Sequence, residues 1–204
     1  MQDQTTVQQL SKLYIANDNG VLRPALPYQL FGPLAMKGSN FYVGSNEWLN
    51  KPVTQITLEI TWLVNTLPKN FGDYYKSYAP ANVYGNDSFR VNCSVLNKGT
   101  WYLLNPEPLN LFETDEQGTL LLSTTLCLQI SQELLTIDPS FIKEPVNYNP
   151  DTVAGFMKME LVAPDHGFGT DLYVTVLSDA VQNKTTLPFQ PYSPRVDKLK
   201  VSMC

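Results

Sequence analysis

Histidine is almost missing from this sequence: His166 is the only one in 204 residues. A two-histidine zinc site or a Ser-His-Asp triad would therefore rest wholly on that one side chain. It stands in the run Pro164, Asp165, His166, Gly167, Phe168, Gly169, which reads as a loop. Asp165 could orient the imidazole, but no Gly-x-Ser-x-Gly elbow is present to supply a nucleophile, so a plain loop histidine is expected. Nucleotide motifs are lacking too. There is no Walker A sequence, and Gly167 and Gly169 form a Gly-x-Gly without the third glycine of a dinucleotide fingerprint. Asp115, Glu116 and Gly118 lack the ordered ligand series of an EF-hand and read as a solvated turn. No catalytic residue, metal ligand or cofactor-binding residue is assigned, and no cofactor is expected. Carboxylates brought together only by folding keep a hydrolase open as a third class of function.

Charge is also sparse. Charged residues make up 16% of the chain and sum to −5, a field that repels nucleic acid, so no nucleic-acid partner is expected. No apolar run approaches the roughly 20 residues that span a bilayer, so no membrane span is expected. Met1, Gln2, Asp3 and Gln4 lack the parts of a signal peptide, which points to a cytoplasmic location. In that setting the sequons at Asn86, Asn92 and Asn183 are chance occurrences. The three cysteines are odd in number and include no Cys-x-x-Cys pair. Cys93 and Cys127 lie among alternating apolar residues and are expected to be packed as small hydrophobes. Cys204 follows what reads as an unfinished strand, and the chain is expected to be a portion of a longer subunit.

What the sequence does hold is apolar and aromatic content, 43% and 11%, cut into short pieces by fifteen prolines and eleven glycines. A domain of this size buries about 70% of its unfolded surface and needs no metal or disulfide to keep a core. From Gln55 to Trp62, Ile56, Leu58, Ile60 and Trp62 alternate with polar residues, the period of a strand with one buried face. Ser88 to Leu96 repeats the pattern with Phe89, Val91, Cys93 and Val95. Asn97, Lys98 and Gly99 then turn the chain into Trp101 to Leu104 as a hairpin partner. Weaker strands are readable at Val7 to Ile15, Asn40 to Val43, Leu120 to Ile130, Phe156 to Val162 and Lys198 to Met203. Asn17, Asp18, Asn19 and Gly20 make the first turn. One mainly β domain over residues 1–204 is predicted, an antiparallel β-sandwich with one or two short helices.

Two segments break the strand pattern. Between Pro68 and Tyr78, Phe71, Tyr74, Tyr75 and Tyr78 fall on one helical face, with Phe71, Tyr74 and Tyr78 expected against the sandwich and Tyr75 at its rim. Asp171 to Val181 can form a helix that puts Leu172, Val176 and Ala180 on one face, although its β-branched residues also allow a strand.

The segment Leu30, Phe31, Gly32, Pro33, followed by Lys37, Gly38, Ser39, Asn40, Phe41, Tyr42, Val43, Gly44 and Ser45, resembles a motif of baseplate J-like proteins from phage-tail-like contractile injection systems. The resemblance continues in order through the strand ending at Trp62, then Leu67, Pro68, Phe71, Tyr74, Tyr75 and Tyr78, then the Asn86 to Val95 strand and Trp101. It resumes at Gly155 to Leu161, Pro164, Phe168, Gly169 and Tyr173, and closes on Pro191, Tyr192, Ser193, Pro194 and the strand through Leu199 and Val201. The chain departs from the family pattern where Thr170 follows Gly169 and the histidine comes earlier. Family members are also much longer. The resemblance implies a structural baseplate wedge component that links tube and spike to the sheath. Its partners would be other baseplate, tube/spike and sheath-associated subunits. The assembly would be cytoplasmic, then released within an extracellular phage-tail-like particle. It carries over no catalytic residues. Phe31, Phe41, Tyr42 and Tyr192 are the candidates for contact or for anchoring loops to the domain's own core. A β-sandwich carbohydrate-binding or adhesion module is the alternative, since eleven tyrosines and three tryptophans could build a sugar platform.

Overall fold

A computed structural model describes residues 7–79, 81–142 and 148–204. Twelve strands follow one another as β1 (Gln8–Gln9), β2 (Tyr14–Asn17), β3 (Gly20–Val21), β4 (Tyr28–Gln29), β5 (Asn40–Gly44), β6 (Gln55–Trp62), β7 (Arg90–Asn97), β8 (Thr100–Leu103), β9 (Leu109–Asn110), β10 (Ser123–Gln129), β11 (Phe156–Ala163) and β12 (Arg195–Met203). They form two wholly antiparallel sheets. One sheet runs β1-β12-β6-β10, with β4 beside β1 on the same edge of β12. The other runs β3-β2-β5-β11-β7-β8, with β9 also on β7. The expected mainly β sandwich is therefore what the chain builds.

The strand periodicity positions the core as anticipated. Ile56, Leu58, Ile60 and Trp62 of β6 are buried together with Phe89, Val91, Cys93 and Val95, and all belong to one contiguous apolar cluster. The indole N–H of Trp62 is satisfied inside that cluster: it donates to the Thr124 hydroxyl at 3.1 Å, which donates to the Leu111 carbonyl at 3.0 Å. A buried polar relay of this kind removes the cost of an unpaired donor. The hairpin β7–β8 turns on Lys98 and Gly99, both at positive φ (48° and 76°), with Asn97 opposite Thr100. Positive φ at both central residues is the geometry that matches the twist of a two-residue hairpin.

Three expectations need correction. Val7 to Ile15 is not one strand. Gln8 and Gln9 pair with β12, the chain crosses between the sheets at Ser11 and Lys12, and Tyr14 begins a second strand beside β5. One oxygen of Glu47 holds the crossing, accepting from both backbone N–H groups and from the Ser11 hydroxyl at 2.7 to 3.0 Å. Cys127 is exposed, because Leu126 and Leu128 take the inner face of β10 and the residue between them must point outward. Tyr75 is in the core at 1% exposure, while Tyr74 is only partly buried. The helix α1 (Phe71–Tyr74) lasts a single turn and gives way to a 3-10 turn over Lys76–Tyr78, so a constant period of 3.6 does not hold across it. The second helix, α2 (Tyr173–Asn183), buries Val176 and Ala180 as expected, with Leu172 packed at its start.

Candidate functional site

The densest chemistry in the molecule lies where α1 meets the last loop. Asn70 caps α1, accepting from the Asp73 N–H at 2.7 Å, and Asn86 accepts from the Phe71 N–H at 2.8 Å. These caps satisfy donors that a one-turn helix leaves open. Phe71 is thereby held edge-on to Phe89, Phe112 and Tyr192, with centroids 4.6 to 5.4 Å apart. Phe89 stacks flat on Phe168 at 4.2 Å, and Tyr75 on Tyr84 at the same distance. Two hydroxyls tie this cluster to distant backbone. Tyr75 Oη donates to the Phe168 carbonyl and accepts from the Tyr192 N–H, and Tyr78 Oη donates to the Phe189 carbonyl. Burial pushes the Tyr75, Tyr78 and Tyr192 phenols above their ordinary value, so they stay neutral, and the first two donate. Of the four singled-out aromatics, Phe31, Phe41 and Tyr192 are thus part of the domain's own core, and Phe41 stacks on Tyr28.

Beside this cluster, a groove of about 700 Å³ runs between the α1 turn and α2. Its floor includes Val176 and Ala180, and its rim includes Tyr74, Asp73, Asp179, Leu187 and Phe189. Phe189 is 62% exposed although its ring stacks on Tyr74 at 5.0 Å, and Leu187 is 57% exposed. Nothing in the sequence patterning marked this groove, because residues 184–190 read only as a loop between helix and strand.

Tyr42 lies elsewhere, on the outer face of the larger sheet. It stacks on Tyr148 at 4.2 Å and lies 6.1 Å from Trp101, whose ring has the Lys158 ammonium 5.4 Å away. Asp18 accepts from the Tyr42 hydroxyl at 3.3 Å, and burial followed by this nearby carboxylate raises the phenol above its ordinary value. Underneath, the Phe156 ring fills the space above Gly44, where an added Cβ would come within 2.4 Å of it. A glycine is required there so that the ring can approach the backbone.

His166 lies on its loop and pairs with Asp171 at 2.7 Å, not with Asp165, which is engaged by Lys37. The lysine hydrogen bond and charge hold the Asp165 carboxyl below its ordinary range. Both partners of the histidine pair are about 40% exposed. Among the described residues no group of three or more His, Cys, Asp or Glu side chains could hold a metal ion, and no helix is long and apolar enough to cross a membrane. Asp115 accepts from the N–H groups of Gln117 and Thr119 and closes its own turn at Gly118.

The class defined by this architecture is a two-sheet antiparallel β-sandwich with two short α-helices packed at its side. No family model matches the chain, and no curated protein is similar enough to count as a match.

Proposed function

We propose that the chain is a structural baseplate component of a phage-tail-like contractile injection system, a β-sandwich that docks neighbouring subunits. The observation that supports this reading best is the division of apolar surface. Most of the large rings are consumed in holding loops to the core, while Leu187 and Phe189 stand exposed beside an apolar groove next to that rigid cluster. Exposed apolar residues gathered at a pre-formed groove and rimmed by polar groups suit permanent protein contact. The test is native purification of the tagged chain from its own cells followed by mass spectrometry. Sheath, tube and spike subunits should co-purify in fixed ratio, and Leu187→Glu should release them without changing the melting temperature. Recovery of the chain without such subunits would sink the proposal.

A second reading, a carbohydrate-binding module, is favoured by one observation: Tyr42, Trp101 and Tyr148 gather beside Lys158 and Asp18 on an outer face. Sugar rings stack on such faces. Glycan-array binding that disappears in Trp101→Ala would replace the baseplate reading.

A further inference from the structure

The edge of β10 is one place where this fold leaves backbone unpaired among the described residues. Trp62 N–H donates to the Leu122 carbonyl and Ile130 N–H to the Thr54 carbonyl, so the even-numbered residues of this stretch bond to β6. The odd-numbered residues, Thr125, Cys127 and Gln129, therefore direct their N–H and C=O groups away from the sheet. Among the described residues, the backbone groups of Cys127 and Gln129 find no partner there. The Thr125 N–H does find one: Glu113 Oε1 accepts from it at 2.7 Å. That carboxylate oxygen occupies the position a neighbouring strand's carbonyl would take.

The edge also lacks the features that usually block strand addition. Ser123 to Gln129 contains no charged residue and no proline, and the β6–β10 register runs without a bulge over seven residue pairs. By contrast the β12–β6 register is interrupted between Val196 and Lys198. On the outer face the exposed side chains are Ser123, Thr125, Cys127 and Gln129.

We propose that β10 pairs antiparallel with β10 of a second copy of this chain, about a two-fold axis at Cys127, joining the two smaller sheets into one. The free groups limit the register, since odd-numbered residues must lie opposite odd-numbered ones. Several axes meet this condition, and the one at Cys127 sets its free N–H and C=O groups against those of the same residue in the other copy. Centring on Cys127 places Thr125 opposite Gln129 of the other copy, each pair exchanging both N–H and C=O bonds. The same register brings no two like charges together along the strand, which is why a copy of this neutral strand is a suitable occupant even for a chain of net charge −5. Glu113 is the competitor: it leaves the Thr125 N–H when the Gln129 carbonyl of the other copy arrives. The inference stands apart from the baseplate reading, since it uses a different face and needs no other protein.

The test uses the full chain in reducing buffer. Sedimentation over a concentration series should show a monomer–dimer equilibrium, and a short bis-maleimide should link the copies through Cys127, whose Cα atoms would lie about 5.5 Å apart. Cys127→Ser should lose the cross-link and keep the dimer. Cys127→Pro removes only the outward N–H, and Cys127→Lys sets like charges face to face on an exposed surface; each should weaken dimerisation about tenfold or more. The lysine variant leaves the fold's backbone hydrogen bonds intact and gives up only the weak exposed contact from the Thr57 hydroxyl to Cys127 Sγ, so a folding failure of the proline variant does not blunt the test. Glu113→Ala should strengthen the dimer by removing the competitor. A chain that stays monomeric at every concentration overturns the proposal. So does a dimer insensitive to Cys127→Lys, or one cross-linked through Cys204. Binding of an extended segment from a different protein at this edge, with no self-association, would likewise overturn it.

Discussion

The two aromatic clusters on either side of the larger sheet are built from the same residue types and do different things. Inside, Phe71, Tyr75, Tyr78, Phe89, Phe112 and Phe168 are fully enclosed, and their hydroxyls reach backbone groups of the segments around Phe168 and Tyr192. Outside, Tyr42, Trp101 and Tyr148 are half-buried and surrounded by a cation and a carboxylate. The contrast shows how surroundings set a ring's role. A phenol sealed among rings is a fixed backbone tie, while one beside Asp18 at a sheet surface is a partly wet contact. The inner cluster belongs to stability, and the outer one leaves its energy available for loops or ligands.

The sharpest way to break this comparison is to truncate one ring on each side. Phe71→Ala should destabilise the domain by about 3–5 kcal/mol, measured by denaturant unfolding, because a ring set against four others cannot be replaced by collapse. An unchanged midpoint would show that the inner cluster is peripheral. Tyr75→Phe keeps the ring and deletes its hydroxyl, leaving the Phe168 carbonyl and the Tyr192 N–H without that partner, for a loss of about 1–3 kcal/mol. The same variant sharpens the comparison through pH. Burial holds the Tyr75 phenol neutral above the range in which an unfolded tyrosine ionises, near about 10, so its contribution is complete below that pH and declines as pH rises above it. The alkaline fall in stability should therefore be shallower in Tyr75→Phe than in the parent. Trp101→Ala, on the outer side, should cost only about 1 kcal/mol, since its ring is half-solvated and its cation contact is screened. A loss equal to that of Phe71→Ala would erase the distinction between the two sides.

Much of the sandwich was legible because a strand with one buried face writes its period into the sequence. Ile56, Leu58, Ile60 and Trp62 could be placed on the core by inspection, and so could Phe89, Val91 and Val95. Two of the errors have local causes. Cys127 was assigned by its apolar character when the alternation of Leu126 and Leu128 already required it to face out. Tyr74 and Tyr75 exchanged places because a single helical turn followed by a 3-10 turn rotates side chains differently from a continuous helix. The split of residues 7–15 between sheets depends on Glu47, far along the chain, and no window of local sequence contains it. The same holds for the α1–α2 groove, whose walls come from segments some hundred residues apart, and for the hydroxyl ties of Tyr75 and Tyr78. His166 was correctly read as a loop residue, yet its partner is Asp171 and not the adjacent acid.

The position of β12 in the smaller sheet has a consequence for how the chain comes to its fold during synthesis. This strand lies between β1 and β4 on one side and β6 on the other, so both earlier strands wait for a partner that the ribosome makes only after β11 and α2. Until it emerges, β6 can zip only to β10, and its other margin stays open to whatever strand is near. Such non-local pairing delays completion of the native topology and lengthens the interval in which a nascent chain can stick to its neighbours. Crowded polysomes making this protein should therefore depend on chaperones that shield strand margins, and the emergence of β12 should be the moment at which that dependence ends.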